Sequence, residues 1–148
     1  KFTIEQIAIC PKDPAAAKKL FEEMGAGPWS EDHVVAEGKV FGSSGRNEAD
    51  LSFNYDLVGG NEFEVLHYTT GRNWMDDRES RSDWPRATNS VSHLGMHCTA
   101  EELLGWREFF REREIAVAQE VMTESHTNPV IKGKRSYNYV KFIVRINL

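Results

Sequence analysis

The 148 residues read as an α+β domain of two tandem βαβββ modules. Three observations point there. A strand–turn–helix pattern occurs twice, extended segments follow the first helix, and an aperiodic polar stretch separates the copies. Residues 4–24 give a short apolar strand, a turn and a capped helix, and residues 91–113 give them again. Such a repeat constrains the architecture before any one residue is interpreted. At the same place in each copy stand Gln6 and His93, both able to ligate a metal.

In the first copy the alternation around Ile7 and Ile9 marks a strand, with Gln6, Ala8 and Cys10 on its other face. Asp13 supplies an N-cap and Pro14 the first helical position, and Gly25 stops the helix. Ala17, Leu20, Phe21 and Met24 fall on one side, which predicts that Leu20, Phe21 and Met24 are buried. Extended segments are expected at about 33–41, 49–57 and 61–68, the last two joined through Gly59-Gly60-Asn61. This is module one, residues 1–68. Residues 69–90 are polar, charged and without period, and read as the linker.

Module two, residues 91–148, opens with a strand over 91–97. Thr99 and Glu102 then form a capping box, and Leu103, Trp106 and Phe110 make the buried face of the second helix. Strands are expected near 116–123 and 135–140. The spacing from Gln6 to Glu64, laid off from His93, runs past the final Leu148. Ser136 to Leu148 continues with no Gly, Pro or Asp at which a hairpin could reverse. Strands average roughly five or six residues, so the expectation is that a loop is absent from the sequence between about Val140 and Lys141.

With 40% hydrophobic residues the chain can bury a core without staples. The formal charge of -5 and pI ≈ 5.6 argue against nucleic acid, whose binders present a basic face, and favour a small-molecule substrate. Cys10 and Cys98 make no disulfide framework; each is expected to be a buried thiol at the end of its strand, in a reducing compartment. Without a membrane span or a signal peptide's apolar centre, the expected address is the cytoplasm. No nucleophile elbow or P-loop occurs, and neither cysteine has an evident base beside it.

Tandem βαβββ modules with a ligand-type residue on the first strand and a Glu on the fourth resemble the vicinal oxygen chelate superfamily. That family includes glyoxalase I, methylmalonyl-CoA epimerase, extradiol dioxygenases and bleomycin-resistance proteins. Glu5-Gln6-Ile7-Ala8-Ile9, Phe63-Glu64-Val65-Leu66 and Ser92-His93-Leu94-Gly95-Met96 carry the resemblance. It implies a cupped eight-stranded mixed sheet with helices on the convex side, and a divalent metal held inside by Gln6, Glu64 and His93. The sequence departs at the fourth ligand, where Ile143 stands between Lys141 and Arg145. The modules pair within one chain or exchange across a homodimer.

The same residues have plainer readings. Gln6 is otherwise an ordinary polar strand residue, Glu64 a solvent-facing one, and His93 a hydrogen-bonded core histidine. His97, four residues beyond His93, lies about 13 Å along a strand, too far for both to bind one ion, and is expected at the cavity rim near substrate. His126, in a turn-rich loop, is the second candidate substrate contact. Trp29, Trp74 and Trp84 can wall a pocket or pack the module interface. His33 and His67 carry no supporting pattern.

The ligand set suits Ni, Co, Zn, Mn, Mg or Fe. It implies a lyase or isomerase that moves a proton next to a carbonyl through a metal-stabilised enolate, with Glu64 as catalytic base. The rival is a metal-free antibiotic-binding protein of the bleomycin-resistance type. An extradiol-type dioxygenase ranks third, because that chemistry takes a second histidine where Gln6 stands.

Overall fold

The computed structural model describes residues 1–75, 88–125 and 133–140. Its elements are β1 (Gln6–Cys10), α1 (Pro14–Glu23), β2 (Ser30–Val40), β3 (Ser43–Val58), β4 (Asn61–Gly71), β5 (Thr88–Gly95), α2 (Ala100–Glu112), β6 (Val117–Ser125) and β7 (Gly133–Val140). The strands form one mixed sheet in the order β5-β1-β4-β3-β2-β6-β7, with β1 and β4 parallel and the other neighbours antiparallel. Flat, its two edges would stand roughly 29 Å apart at about 4.8 Å per strand. Instead the ring of Tyr139 on β7 lies 5.2 Å from that of His93 on β5. The sheet is therefore curled into a half-barrel, and the fold is α+β with two helices.

The core lies inside the curl. Val34 pairs with Ala49, Leu51 with Leu66 and Phe53 with Glu64, which places all six side chains on the concave face. Val34, Ala49, Leu51, Phe53 and Leu66 form a buried cluster joined by Tyr55 and Tyr68. On the opposite face Phe21 of α1 packs its ring 5.1 Å from Phe63 and 6.3 Å from Trp29. Helix α2 also sits outside: Arg107 donates from Nε to Asn138 Oδ1 (3.1 Å) and pairs through Nη2 with Glu120 Oε1 (2.6 Å). Among the described residues no helix is long and apolar enough to cross a membrane.

Several local expectations need correction. Leu20 and Met24 are 56% and 69% exposed, so they do not join Phe21 in the buried face. The stripe that meets the sheet is Pro14, Ala17, Lys18 and Phe21. Lys18 lays its stem over the sheet and carries its ammonium to Glu31 Oε1 at 2.7 Å, covering apolar surface while keeping the charge paired. Cys98 is exposed, because β5 stops at Gly95, whereas Cys10 is buried.

β2 and β3 are longer than expected because Phe41 and Gly42 (φ 48° and 76°) close a two-residue hairpin that their sequence did not announce. β4 runs to Gly71 and β5 starts at Thr88, which trims the linker at both ends. The eighth strand of the expected scheme, and the break expected at Val140–Lys141, involve residues 141–148, outside the described residues. His126 and Trp84 also lie outside them.

The capping box at the start of α2 is present, with Thr99 Oγ1 accepting from Glu102 N–H at 3.2 Å and Glu102 Oε2 accepting from Thr99 N–H at 2.8 Å. Leu103 and Trp106 are half-buried and Phe110 is 9% exposed, its ring stacked on Trp106 at 5.9 Å. Phe110→Ala should cost about 3 kcal/mol, the low end of the range for large aromatic truncations, read as a shift in urea midpoint without a change in slope. A midpoint equal to wild type would mean that α2 contributes no burial through this face.

Candidate functional site

The centre of the concave face is built on three adjacent strands. Ala8 on β1 pairs with Glu64 on β4 and with His93 on β5, so a carboxylate and an imidazole flank one methyl group. Ala8 has 0% of its surface exposed. Its small side chain lets the two flanking groups lean over it, and His93 Nε2 comes 3.4 Å from Glu64 Oε2. Two residues earlier, Gln6 lies between Glu62 and Gly95. A Cβ at position 95 would meet Gln6 Oε1 at 2.6 Å and Gln6 Cβ at 3.1 Å, so the missing side chain there makes room for the amide.

The amide is oriented at both ends. Gln6 Nε2 donates to Glu62 Oε1, which turns Oε1 toward His93 Nε2 at 3.2 Å. Glu62 also accepts from the Tyr55 hydroxyl at 3.0 Å. On the far side of the imidazole, Ser92 Oγ donates to the Ala8 carbonyl at 3.1 Å and lies 3.1 Å from His93 Nδ1. A hydroxyl has one proton, so Ser92 accepts from Nδ1–H. That tautomer leaves the Nε2 lone pair facing two oxygen acceptors, Gln6 Oε1 and Glu64 Oε2. An Nε2 lone pair facing two oxygen acceptors is repulsive unless a proton sits on Nε2 or a cation lies among them. The donor set therefore fits a divalent ion.

Electrostatics favour the same conclusion. Glu62 and Glu64 are 3% and 5% exposed, two carboxylates on one face of an apolar strand. Burial first, and then the charge of Glu64, push the Glu62 carboxyl above its ordinary value, while the Gln6 and Tyr55 bonds pull it back. Burial and the Glu64 charge also raise the Cys10 thiol to about 11, which keeps it a neutral, inert neighbour. Tyr137 is raised to about 12 by burial and then by Glu64. A buried excess of negative charge is costly and is relieved by a cation.

Gln6, Glu64 and His93 thus come together as the sequence suggests. Among the described residues no three His, Cys, Asp or Glu side chains form a metal-binding group. His97 does not join it. The strand ends before His97, so the two-residue alternation does not carry over from His93; its Nδ1 lies 2.9 Å from Glu5 Oε2 and its backbone N–H donates to the same oxygen at 2.8 Å. The pair lines an outer cleft of about 430 Å³ with Trp106 and Phe109.

Sequence reasoning missed Glu62, although Glu62-Phe63-Glu64 in a strand puts both acids on one face. It also left open the part played by Trp74. That ring stacks on Tyr139 (5.7 Å, 13°) and stands edge-on to His93 at 6.2 Å, forming a wall of the site. Gln119 Oε1 accepts from Trp74 N–H at 3.0 Å and ties the chain after β4 back into the cup. Trp29 packs outside, against Phe21 and Phe63.

Gly95→Ala should displace the Gln6 amide while costing little stability, since the collision is largely with a flexible side chain. The expected result is a melting temperature close to wild type and a metal affinity lowered about 10-fold or more, as for partners that orient a ligand. Unchanged affinity would remove Gln6 from the ligand set. No protein-family description, curated protein or solved structure matches this chain.

Proposed function

We propose that this protein is a divalent-metal-dependent lyase or isomerase of the vicinal oxygen chelate type, acting on a small molecule by moving a proton next to a carbonyl. The observation that carries the reading is the meeting of Gln6 Oε1, His93 Nε2 and Glu64 Oε2 at 3.2 and 3.4 Å on the concave face. The element order supports a tandem reading, with strand, helix and three strands followed by strand, helix and two strands. The antiparallel pairing of β1 with β5 supports it as well, since these strands begin the two modules.

Gln6, Glu64 and His93 would hold the ion. When bound, it supplies Lewis-acid stabilisation of negative charge developing on a carbonyl oxygen. The chain's own residues do the rest. Ser92 holds the His93 tautomer, and Glu62 holds the Gln6 amide with its oxygen turned inward. Trp74 and Tyr139 shield one side of the site from water. Glu64 removes the proton from the carbon next to the carbonyl and returns it on the other side or to a neighbouring atom, which requires its carboxylate to swing toward substrate.

A second reading rests on a different observation. The Trp74–Tyr139 stack is a flat aromatic wall suited to a planar or cationic ligand, as a metal-free antibiotic-binding protein would use. Metal analysis of protein purified without chelator separates the two. Calorimetric titration with Ni, Co, Mn and Zn should show one site, and deuterium should enter the carbon next to the carbonyl in some member of a panel of 2-oxo and 2-hydroxy carbonyl compounds. Absence of metal binding would leave the sequestering reading as the better one.

A further inference from the structure

Resting on that reading of the cup, we infer that Arg135 on β7 holds a carboxylate or phosphate group of the substrate, remote from the carbon that reacts. Arg135 pairs with Thr123, Tyr137 with Val121 and Tyr139 with Gln119, so Arg135, Tyr137 and Tyr139 share the concave face. Thr123, Val121 and Gln119 are buried, and Arg135 is half-buried beside them. The Arg135 Nε atom is shielded from water and has no hydrogen-bond partner among the described residues. No carboxylate among the described residues pairs with its guanidinium. Asp32, the acid on β2 that shares this face, is engaged by the Ser125 hydroxyl.

A guanidinium that loses water at Nε without gaining an acceptor is costly, and a bound oxyanion is one way a fold meets that cost. Its planar fork suits an oxyanion. The position gives the geometry of the substrate. Arg135 stands four residues from Tyr139, about 13 Å along the strand, and Tyr139 touches His93. Tyr137 lies between, and its phenol feels both the Glu64 charge and the Arg135 charge. A molecule whose carbonyl lies at the metal-type trio therefore carries its anionic group several bonds away, past Tyr137.

The test reads Arg135 directly and does not depend on the metal. In chelator-treated full-length protein labelled with 15N, the shielded Nε–H gives a resonance assigned by its loss in Arg135→Lys and Arg135→Gln. Acetate, glutarate and inorganic phosphate are titrated against sodium chloride at matched ionic strength. A saturable shift of this resonance with a carboxylate or with phosphate, absent with chloride, is expected, and the effective anion identifies the class. No shift, or a shift equal to that with chloride, overturns the proposal.

A second arm uses metal-loaded protein with 2-oxoadipate and its distal methyl ester. Wild type should exchange the acid at least about 10-fold more efficiently, through KM, and Arg135→Lys should erase the preference, because a lysine lacks the bidentate fork. Equal efficiency for acid and ester in an active wild type overturns the inference. No exchange with any compound in the panel counts against the enzymatic reading alone, and the resonance shift then decides the role of Arg135.

Discussion

Glu64→Gln should leave the protein folded and remove both its metal binding and its chemistry. The substitution is nearly isosteric at a position 5% exposed, and it takes one negative charge away from a face where Glu62 already raises the cost of burial. The melting temperature should therefore stay at the wild-type value or rise. Removing a partner that merely orients a ligand costs roughly 10–100-fold in affinity, so removing a ligand should cost at least about 100-fold. The same change deletes the base, whose contribution to rate is on the order of 10²–10⁴-fold. Calorimetry with the metal that wild type binds, together with deuterium uptake into a substrate it exchanges, checks both. Equal affinity in the two proteins would move the metal away from Glu64; equal exchange would move the base.

Phe53→Ala should be among the most destabilising single truncations on the concave face. Phe53 is 4% exposed, sits in the cluster of Val34, Ala49, Leu51 and Leu66, and pairs in register with Glu64. Large aromatic truncations in cores cost about 3–5 kcal/mol, a large part of the roughly 5–15 kcal/mol that holds a typical domain. The cavity would open beside the Glu64 carboxylate, so metal affinity should fall as well through loss of its fixed position. Urea unfolding, with metal titration of the variant at a temperature where it is folded, checks both effects. A cost below about 1 kcal/mol would mean that the interior of the curl is not the core.

Much of this was legible along the chain because it depends on short-range physics. The period-two alternation located β1, the Gly59-Gly60-Asn61 turn marked where β4 begins, the Asp13-Pro14 and Thr99–Glu102 signals located the starts of both helices, and the repeat matched Gln6 to His93. The same alternation carried enough to find Glu62, since Glu62 and Glu64 share a face of β4. Where a pattern stops was less legible. His97 follows His93 in sequence, but β5 ends at Gly95, and a strand's alternation says nothing once the strand is over.

Only the tertiary structure decided what meets what. Leu20 and Met24 satisfy a helical period, yet α1 touches the sheet along a stripe through Lys18 and Phe21, with Trp29 packed against Phe21 and Phe63. The register across three strands, set by long-range backbone pairing, put Ala8 between Glu64 and His93 and gave Gln6 the room left by Gly95. The curl of the sheet brought Tyr139 from one edge onto His93 at the other, and placed Arg135 on the same inner face. Residue types and local periodicity determined which groups were available for chemistry; strand register and sheet curvature, which are sums over contacts far apart in the chain, determined which of them converge.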